Sequence, residues 1–577
     1  MDKKKFPSIW KNANVSPLLK KGDASELNNY RPISLLSCVG KVMEKAVFKY
    51  TFNYIRDNNL IYNLQSGFMP GHCTTHQLVH LYHAFCDALD KKKKVRLVVG
   101  DISKAFDRVW HAGILHKLTN MGITGSLNDW YSNYLTDRKQ RVVINGYSSE
   151  YGNIEAGVPQ GSVLGPLLFL IFINDITEGL ETKISLYADD SLIYMTSNSP
   201  ITNKDALDRD LIRIECWAKQ WLVTFSPEKT CDMTLSLRPT AIAPTPLVFS
   251  GTDLKSVTVH KHLGLTFSSD LKWKNHIDDI CTRAERRLSQ LHALRFKLNR
   301  KTLETLYMSY IRPIVEYSDV VFTNFSDGDN NRIEKIQKRA GKIVSGAVKG
   351  TSYETIITEL GWESLEVGRE RRKLILFSDI VHGHAPDYLQ TDLPESVQTR
   401  TQNRYQLRNR THLSQYSTRT ETFRNSFFPS TANIWNSTDD SIRLIDDRNT
   451  LKSTLKRKPP HQSTYYYMYL RRTNIIMARI RMQCSELNQH LYQNHVADSP
   501  SCPCGVAETP EHFVFDCPIY TVAREDFTSK LLQLHLTPTL HTVLYGKSPS
   551  KDLPELIKAV ETFLLSTKRF TILNTIL

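Results

Sequence analysis

The sequence predicts an α+β chain, and three observations carry that expectation. Residues 95–100 form an apolar run with the composition of a buried strand, which delivers Asp101 at its carboxyl end. Two short strand-like runs, 183–186 and 191–194, flank Tyr187-Ala188-Asp189-Asp190 and read as a β-hairpin with two carboxylates at its turn. From residue 273 to about residue 386 the chain reads as helical, with basic residues interleaved among leucines.

Composition sets the class. The chain has 577 residues, 41% of them hydrophobic, which is enough for sizeable cores in about three or four domains. A net charge of +15 and a pI near 9.2 point to a polyanionic partner. Charge alone does not separate nucleic acid from an acidic membrane surface. The longest apolar run, 163–173, is broken by Pro166 and is too short to span a bilayer. The basic start of the chain lacks the apolar core of a secretory signal, so nucleus and cytoplasm are expected and a membrane is not. Ten cysteines, scattered except near the C-terminus, suit a reducing compartment.

The elements follow in order. Residues 1–95 offer Lys20, Lys21 and Arg31 as basic candidates, a helix-like stretch at 40–53, and the segment Gln65-Ser66-Gly67-Phe68-Met69-Pro70-Gly71-His72-Cys73. The strand at 95–100 runs on into Asp101-Ile102-Ser103-Lys104-Ala105-Phe106-Asp107. In Gly157-Val158-Pro159-Gln160-Gly161 glycine and proline force a tight turn before an apolar helix. At Asp189-Asp190 like charges repel and raise each other's pKa, an objection that a divalent cation removes. Helical spacing returns at Leu207, Leu211, Ile214, Trp217 and Trp221. A strand-like run at 221–225 follows, and then Ser226-Pro227-Glu228-Lys229.

Downstream, Arg283, Arg286, Arg287, Arg295, Lys297, Arg300 and Lys301 sit among leucines. A helix at 332–344 is expected to bury Ile333, Ile336, Ala340 and Ile343 and to expose Lys335, Lys338, Arg339 and Lys342. Such a face is either solvated or turned to phosphates. Between about 387 and 472, Arg400, Arg404, Arg408, Arg410, Arg419 and Arg424 alternate with Tyr405, Tyr416 and Phe423. That pattern suits stacking of unpaired bases or a flexible linker, with Trp435 arguing for local order. Last come Cys502, Cys504, His512 and Cys517, spaced C-x-C, seven residues, H, four residues, C. Three thiolates and one imidazole make the closed tetrahedral set of structural zinc. Arg479 and Arg481 precede it and are read as sharing its RNA-binding face.

A strand-end acid, a glycine-rich loop before a helix and an acidic hairpin, in that order, resemble motifs A, B and C of reverse transcriptases. Their wording is similar to the jockey-type, LINE-like branch of non-LTR retrotransposon polymerases. The resemblance implies a right-hand polymerase fold with fingers, an antiparallel-sheet palm and a helical thumb. A mainly helical or irregular C-terminal region with a zinc-knuckle-like motif would follow. It divides the chain into a reverse transcriptase domain at 1–270 (fingers 1–95, palm 96–270), a helical thumb and extension at 271–386, a basic connecting region at 387–475 and a C-terminal region at 476–577.

The implied activity is RNA-directed DNA polymerisation, a nucleotidyl transfer with two magnesium ions. Its partners would be an RNA template, a DNA primer or target, and deoxynucleoside triphosphates. Asp101, Asp189 and Asp190 would hold the metals, and Phe106 falls at the steric-gate position against a ribose 2′ hydroxyl. Gln160 and Gly161 would meet the incoming nucleotide and template base, and Tyr187 would lie under the primer end. Lys229 would act as general acid toward pyrophosphate. Residues 259–267 resemble the primer grip, with a tight turn at Gly264. Asp107 reads as a structural acid paired with a base. The chain departs from the family pattern at Met69, where an arginine usually touches the triphosphate, and at His72 and Cys73. It opens directly in the fingers, so a fragment lacking the family's N-terminal endonuclease is expected. Two other readings stand beside this one: a catalytically decayed RNA-binding remnant, and an intron-maturase-like protein.

Overall fold

The structure, a computed structural model, describes residues 5–20, 22–226, 228–238, 244–396, 412–456, 470–546 and 552–570. Lys21, Arg400, Arg404, Tyr405, Arg408 and Arg410 lie outside the described residues. The chain forms two compact units, Met1–Lys272 with Leu376–Thr438, and Trp273–Ile375 with Asp439–Leu577.

In the first unit β1 (Asn12–Leu19) pairs antiparallel with β2 (Tyr30–Leu35). Helices α1 (Cys38–Asp57) and α2 (Thr74–Asp90) follow, then β3 (Lys94–Asp101) and β4 (Arg138–Ile144), which lies parallel to β1. Next are α3 (Leu164–Ile173), β5 (Lys183–Tyr187), β6 (Asp190–Ser197), α4 (Pro200–Gln220), β7 (Cys231–Leu235) and β8 (Lys255–Ser256). The central sheet runs β8-β7-β3-β6-β5 and is antiparallel except at its β8 edge. Strand β3 lies in its middle with residues 95–100 all buried, which is why the sequence there is a continuous apolar run. Its one charged interior residue, Arg96, is matched by Asp232 of β7 at 2.8 Å. Helix α3 is apolar on every face, and all its residues but Pro166 are buried.

Residues 221–225 do not form the expected strand. Leu222 adopts a left-handed φ of 59° and the Val223 amide bonds back to Ala218, closing α4 in a turn. Only Phe225 makes a lone bridge, to Ile102.

The segment 412–438 is packed within the first unit. Phe423, Phe427, Phe428 and Trp435 are buried. His83 of α2 faces Phe428 at 4.8 Å and Phe423 at 5.4 Å. Arg419 donates to the carbonyls of Leu89 and Asp90, satisfying the end of α2. Tyr416, Phe423 and Arg419 are therefore packing and capping groups rather than a platform for unpaired bases; Arg424 is exposed.

The second unit is helical. Helices α5 (Lys274–Ala293) and α6 (Asp327–Ser345) pack on each other, with Ile277, Ile280, Ala284 and Leu288 of the first and Ile333, Ile336, Ala340 and Val344 of the second buried. Val344 takes the buried place expected for Ile343, which is half-buried. Arg332 pairs with Asp278 at 2.7 Å and Arg339 with Glu285 at 3.2 Å, so two of the exposed bases are partly neutralised. Helix α7 (Tyr353–Leu360) ends beside a buried cluster in which Glu359 accepts from both Arg300 and Arg481. In α8 (Arg471–Arg481), Arg471 donates to the Ile343 and Val344 carbonyls at 2.6 Å each, and Arg479 to that of Gly346 at 2.8 Å. These cations serve the C-terminal carbonyls of α6. Arg300, Arg479 and Arg481 are thus structural, which corrects their reading as nucleic-acid contacts. Among the described residues no helix is long and apolar enough to cross a membrane.

Candidate active site and cysteine–histidine cluster

Antiparallel pairing of β3 with β6 sets Asp101 directly opposite Asp190. The β5–β6 turn places Asp189 beside them, with Ala188 in a left-handed φ of 57°. All three carboxylates line one cleft of about 1370 Å³ in the first unit. Burial, then the Asp189 and Asp101 charges, push Asp190 up to about 6. Asp189 is also raised, mainly by burial, while Arg31 and Lys20 act against the rise. The Lys229 ammonium lies 2.8 Å from an Asp101 oxygen. Three converging carboxylates, met by cations on their margin, form a hard-oxygen donor set that fits magnesium.

The turn itself is held from below. The Gln65 side-chain oxygen accepts from the amides of Gly67 at 2.8 Å and Ala188 at 3.0 Å. Ser66 N–H donates to Leu186 O, and Leu186 N–H to Leu64 O. A Cβ on Gly67 would sit 2.1 Å from the Ala188 nitrogen, so only glycine permits this approach. These supports were not assigned a role from the sequence, although the glycine in Gln65-Ser66-Gly67 was a visible signal.

The loop before α3 is pinned at several points. Gln160 O accepts from Ser34 N–H of β2, and the Gln160 amide donates to Asp107 at 2.8 Å. Asp107 is therefore bonded to an amide, not to the base expected of it. Gly161 has φ of 116°, and a Cβ there would lie 2.8 Å from Ser34 O. Glu44, buried in α1, accepts from Val163 and Leu164 N–H at 2.7 and 3.2 Å and so caps α3 from another helix. Nothing in the sequence marks Glu44 for that task, because its partner lies more than a hundred residues away.

Phe106 stacks on Phe169 at 4.8 Å, meets Phe68 edge-on at 5.8 Å and lines the cleft. It is a core residue and a cleft residue at once. Tyr187 is half-buried at the end of β5. Met69 packs against the apolar core. The remaining positive charges on the cleft include Lys20, Arg31 and Lys104. Residues Val259–His262 and Leu265–Ser268 form a two-residue hairpin, with Leu263 and Gly264 at φ of 45° and 88°. Both turn residues are left-handed, which explains Gly264.

In the second unit Cys502, Cys504, His512 and Cys517 converge, with one ligand atom from each lying within 4.8 Å of all the others. Cys502 and Cys517 sulfurs are 3.6 Å apart, and Cys504 Sγ is 3.2 Å from His512 Nε2. Gly505, φ 93°, turns the chain after Cys504, its amide bonded to the Cys502 carbonyl. Burial pushes the Cys502 thiol up to about 12, whereas the Val506 amide lowers Cys504.

Residues 18–267 match the family described as reverse transcriptase (RNA-dependent DNA polymerase). The chain is 30% identical over 365 residues to a protein named as a probable RNA-directed DNA polymerase from transposon BS of Drosophila melanogaster, covering 60% of this chain and 40% of that one. It is 31% identical over 355 residues to the RNA-directed DNA polymerase from mobile element jockey of the same fly, covering 59% and 38%. The chain spans about two fifths of the length of these curated relatives. Among solved structures, an apo telomerase from Candida tropicalis is similar at a TM-score of 0.37, with 13% identity over 66% of this chain and 63% of that one.

Proposed function

We propose that this chain, whose residues 18–267 are a reverse transcriptase domain resembling those of jockey-like non-LTR retrotransposons, is an RNA-directed DNA polymerase. The observation that carries the reading is the convergence of Asp101, Asp189 and Asp190 on the floor of a cleft flanked by Lys20, Arg31 and Lys229. Its substrates are an RNA template, a DNA primer and deoxynucleoside triphosphates. The primer 3′ hydroxyl gives its proton to solvent and attacks the α-phosphorus; the new phosphodiester bond forms as the bond from the α-phosphorus to its bridging oxygen breaks, and pyrophosphate leaves.

The three aspartates are the residues that would hold two magnesium ions. When bound, magnesium neutralises the triphosphate and lowers the pKa of the attacking hydroxyl. The other side chains position and discriminate. Lys20 and Arg31 take the triphosphate charge that Met69 cannot meet. Phe106, braced by Phe169 and Phe68, excludes a 2′ hydroxyl. Gln160, fixed by Asp107, and Gly161 face the nucleotide and template base. Tyr187 and the Gly264 hairpin support the primer end. Lys229 is released from Asp101 to give a proton to pyrophosphate. Fingers and palm are assigned to the first unit and the thumb to the helices that follow Trp273. Cys502, Cys504, His512 and Cys517 would hold one structural zinc, since their spacing fits tetrahedral Zn–S bonds of about 2.3 Å.

Primer extension on an RNA template with magnesium and deoxynucleotides tests this reading, beside an Asp189→Ala control. Extension that vanishes in the control is the expected result. RNA binding without extension would replace the polymerase with a binding protein. Metal analysis of the purified chain tests for one zinc per molecule.

A further inference from the structure

Behind the acidic turn stands a residue from far along the chain. Tyr388, on the short helix Asp387–Gln390, is 5% exposed and belongs to the same unit as the turn. Its hydroxyl lies 2.9 Å from Ser66 Oγ, and both groups are buried. Ser66 is the residue whose amide holds Leu186 O, two residues before Ala188. His72 Nδ1 lies 3.3 Å from the same Ser66 oxygen. The rings of His72 and His80 stand edge-on to Tyr388 at 6.0 and 5.2 Å. His80 is itself fixed by Asp392 at 2.7 Å, and the Asp392 carbonyl accepts from Tyr416 at 2.5 Å. The phenol is thus seated on every side that the described contacts cover, with its polar end on Ser66.

We propose that Tyr388 is a positioning residue for the acidic hairpin, acting through the Ser66 hydroxyl and the Leu186 backbone. Ser66 Oγ has one proton. If it donates to His72 Nδ1, its own donor is the Tyr388 hydroxyl, and the buried oxygen is satisfied from both directions. Removing the phenol oxygen leaves that network one donor short. The segment holding Leu186 is then less firmly placed, and with it the turn that carries Asp189 and Asp190. The consequence for turnover rests on the polymerase reading; the structural coupling does not.

The test uses the full chain with Tyr388→Phe, Ser66→Ala and the double variant. Three quantities are measured: kcat and KM for deoxynucleotide in primer extension, amide exchange across residues 186–190, and the melting temperature. Tyr388→Phe keeps the ring and removes one hydroxyl. It is expected to lower kcat by about 3- to 10-fold, the size of one lost hydrogen bond. KM stays put, the melting temperature falls only slightly in so large a chain, and the Ala188 amide, bonded to Gln65, exchanges faster. Ser66→Ala, which also loses the His72 contact, lowers kcat at least as much, and the double variant is no worse than Ser66→Ala alone, because the Tyr388 link is already gone. A purely structural role would lower the melting temperature and spare kcat per folded molecule. Unchanged kcat together with unchanged Ala188 exchange overturns the proposal, as do losses that multiply in the double variant. If the wild-type chain extends no primer, the polymerase reading fails, and amide exchange alone still decides the role of Tyr388.

Discussion

Asp101 and Asp189 lie 88 residues apart and meet because β3 and β6 pair in one antiparallel register, whereas Cys502, Cys504, His512 and Cys517 fall within residues 502–517 and meet through local turns. The two clusters differ in chemistry as they do in assembly. The carboxylates are hard oxygen donors in an open cleft, suited to an ion that arrives with substrate. The thiolates and imidazole form a closed set, half-buried to buried, suited to an ion that stays. The first site depends on a finished sheet, since a one-residue slip would turn every β3 side chain to the other face. The second is drawn together by local turns and by Phe513 and Val514, which pack into a core beside its ligands. Damage should therefore spread differently from each.

The largest expected effect comes from the carboxylates. Asp189→Asn should reduce extension by at least about a thousandfold, as loss of a charge-stabilising group does at a reacting centre. The fold should survive, and in metal-free buffer the melting temperature should hold or rise, since one of three mutually repelling charges is gone. Extension assays and thermal unfolding of the same preparation check both halves. Next in size is the cysteine–histidine cluster. Cys517→Ser, or a strong zinc chelator, should remove the metal and speed amide exchange across 502–517. Extension should fall far less than in Asp189→Asn. Equal loss of activity in the two variants would show that the comparison between them is wrong.

What the sequence made legible follows the same division. The Cys/His set and the Tyr187–Asp190 turn were readable because their residues are contiguous or nearly so. The strand at Asp101 was readable because burial on both faces leaves a continuous apolar run. Partners across long separations were not. Glu44, Gln65 and the Asp107–Gln160 bond depend on contacts that no periodicity encodes. Basic residues were the least legible class. Arg300, Arg479 and Arg481 look like phosphate ligands in sequence, yet they neutralise Glu359 or occupy a helix-end carbonyl. A charge count cannot tell a solvated arginine from one that caps a helix. The strand expected at 221–225 failed for a local reason, the left-handed Leu222 that closes α4.

The supports of the acidic turn give a third and smaller test. Gly67→Ala places a Cβ where the Ala188 amide now sits, so the turn must shift. A displacement of that kind costs about a hundredfold in turnover. Stability should fall as well, since Gly67 and Ala188 are both buried. The smallest effect is expected at Glu44. Its carboxylate accepts two amides at the start of α3 and faces the positive end of that helix. Glu44→Gln keeps the shape and one acceptor oxygen but removes the charge, at a cost of about 1 kcal/mol, within the range of helix-cap substitutions. Because the same helix begins just after Gln160 and Gly161, the loop before it loosens. KM for deoxynucleotide should therefore rise a few-fold while kcat changes little. A change confined to kcat would place Glu44 with the supports of the acidic turn instead, and would mean that the α3 cap and the carboxylate hairpin respond as one body.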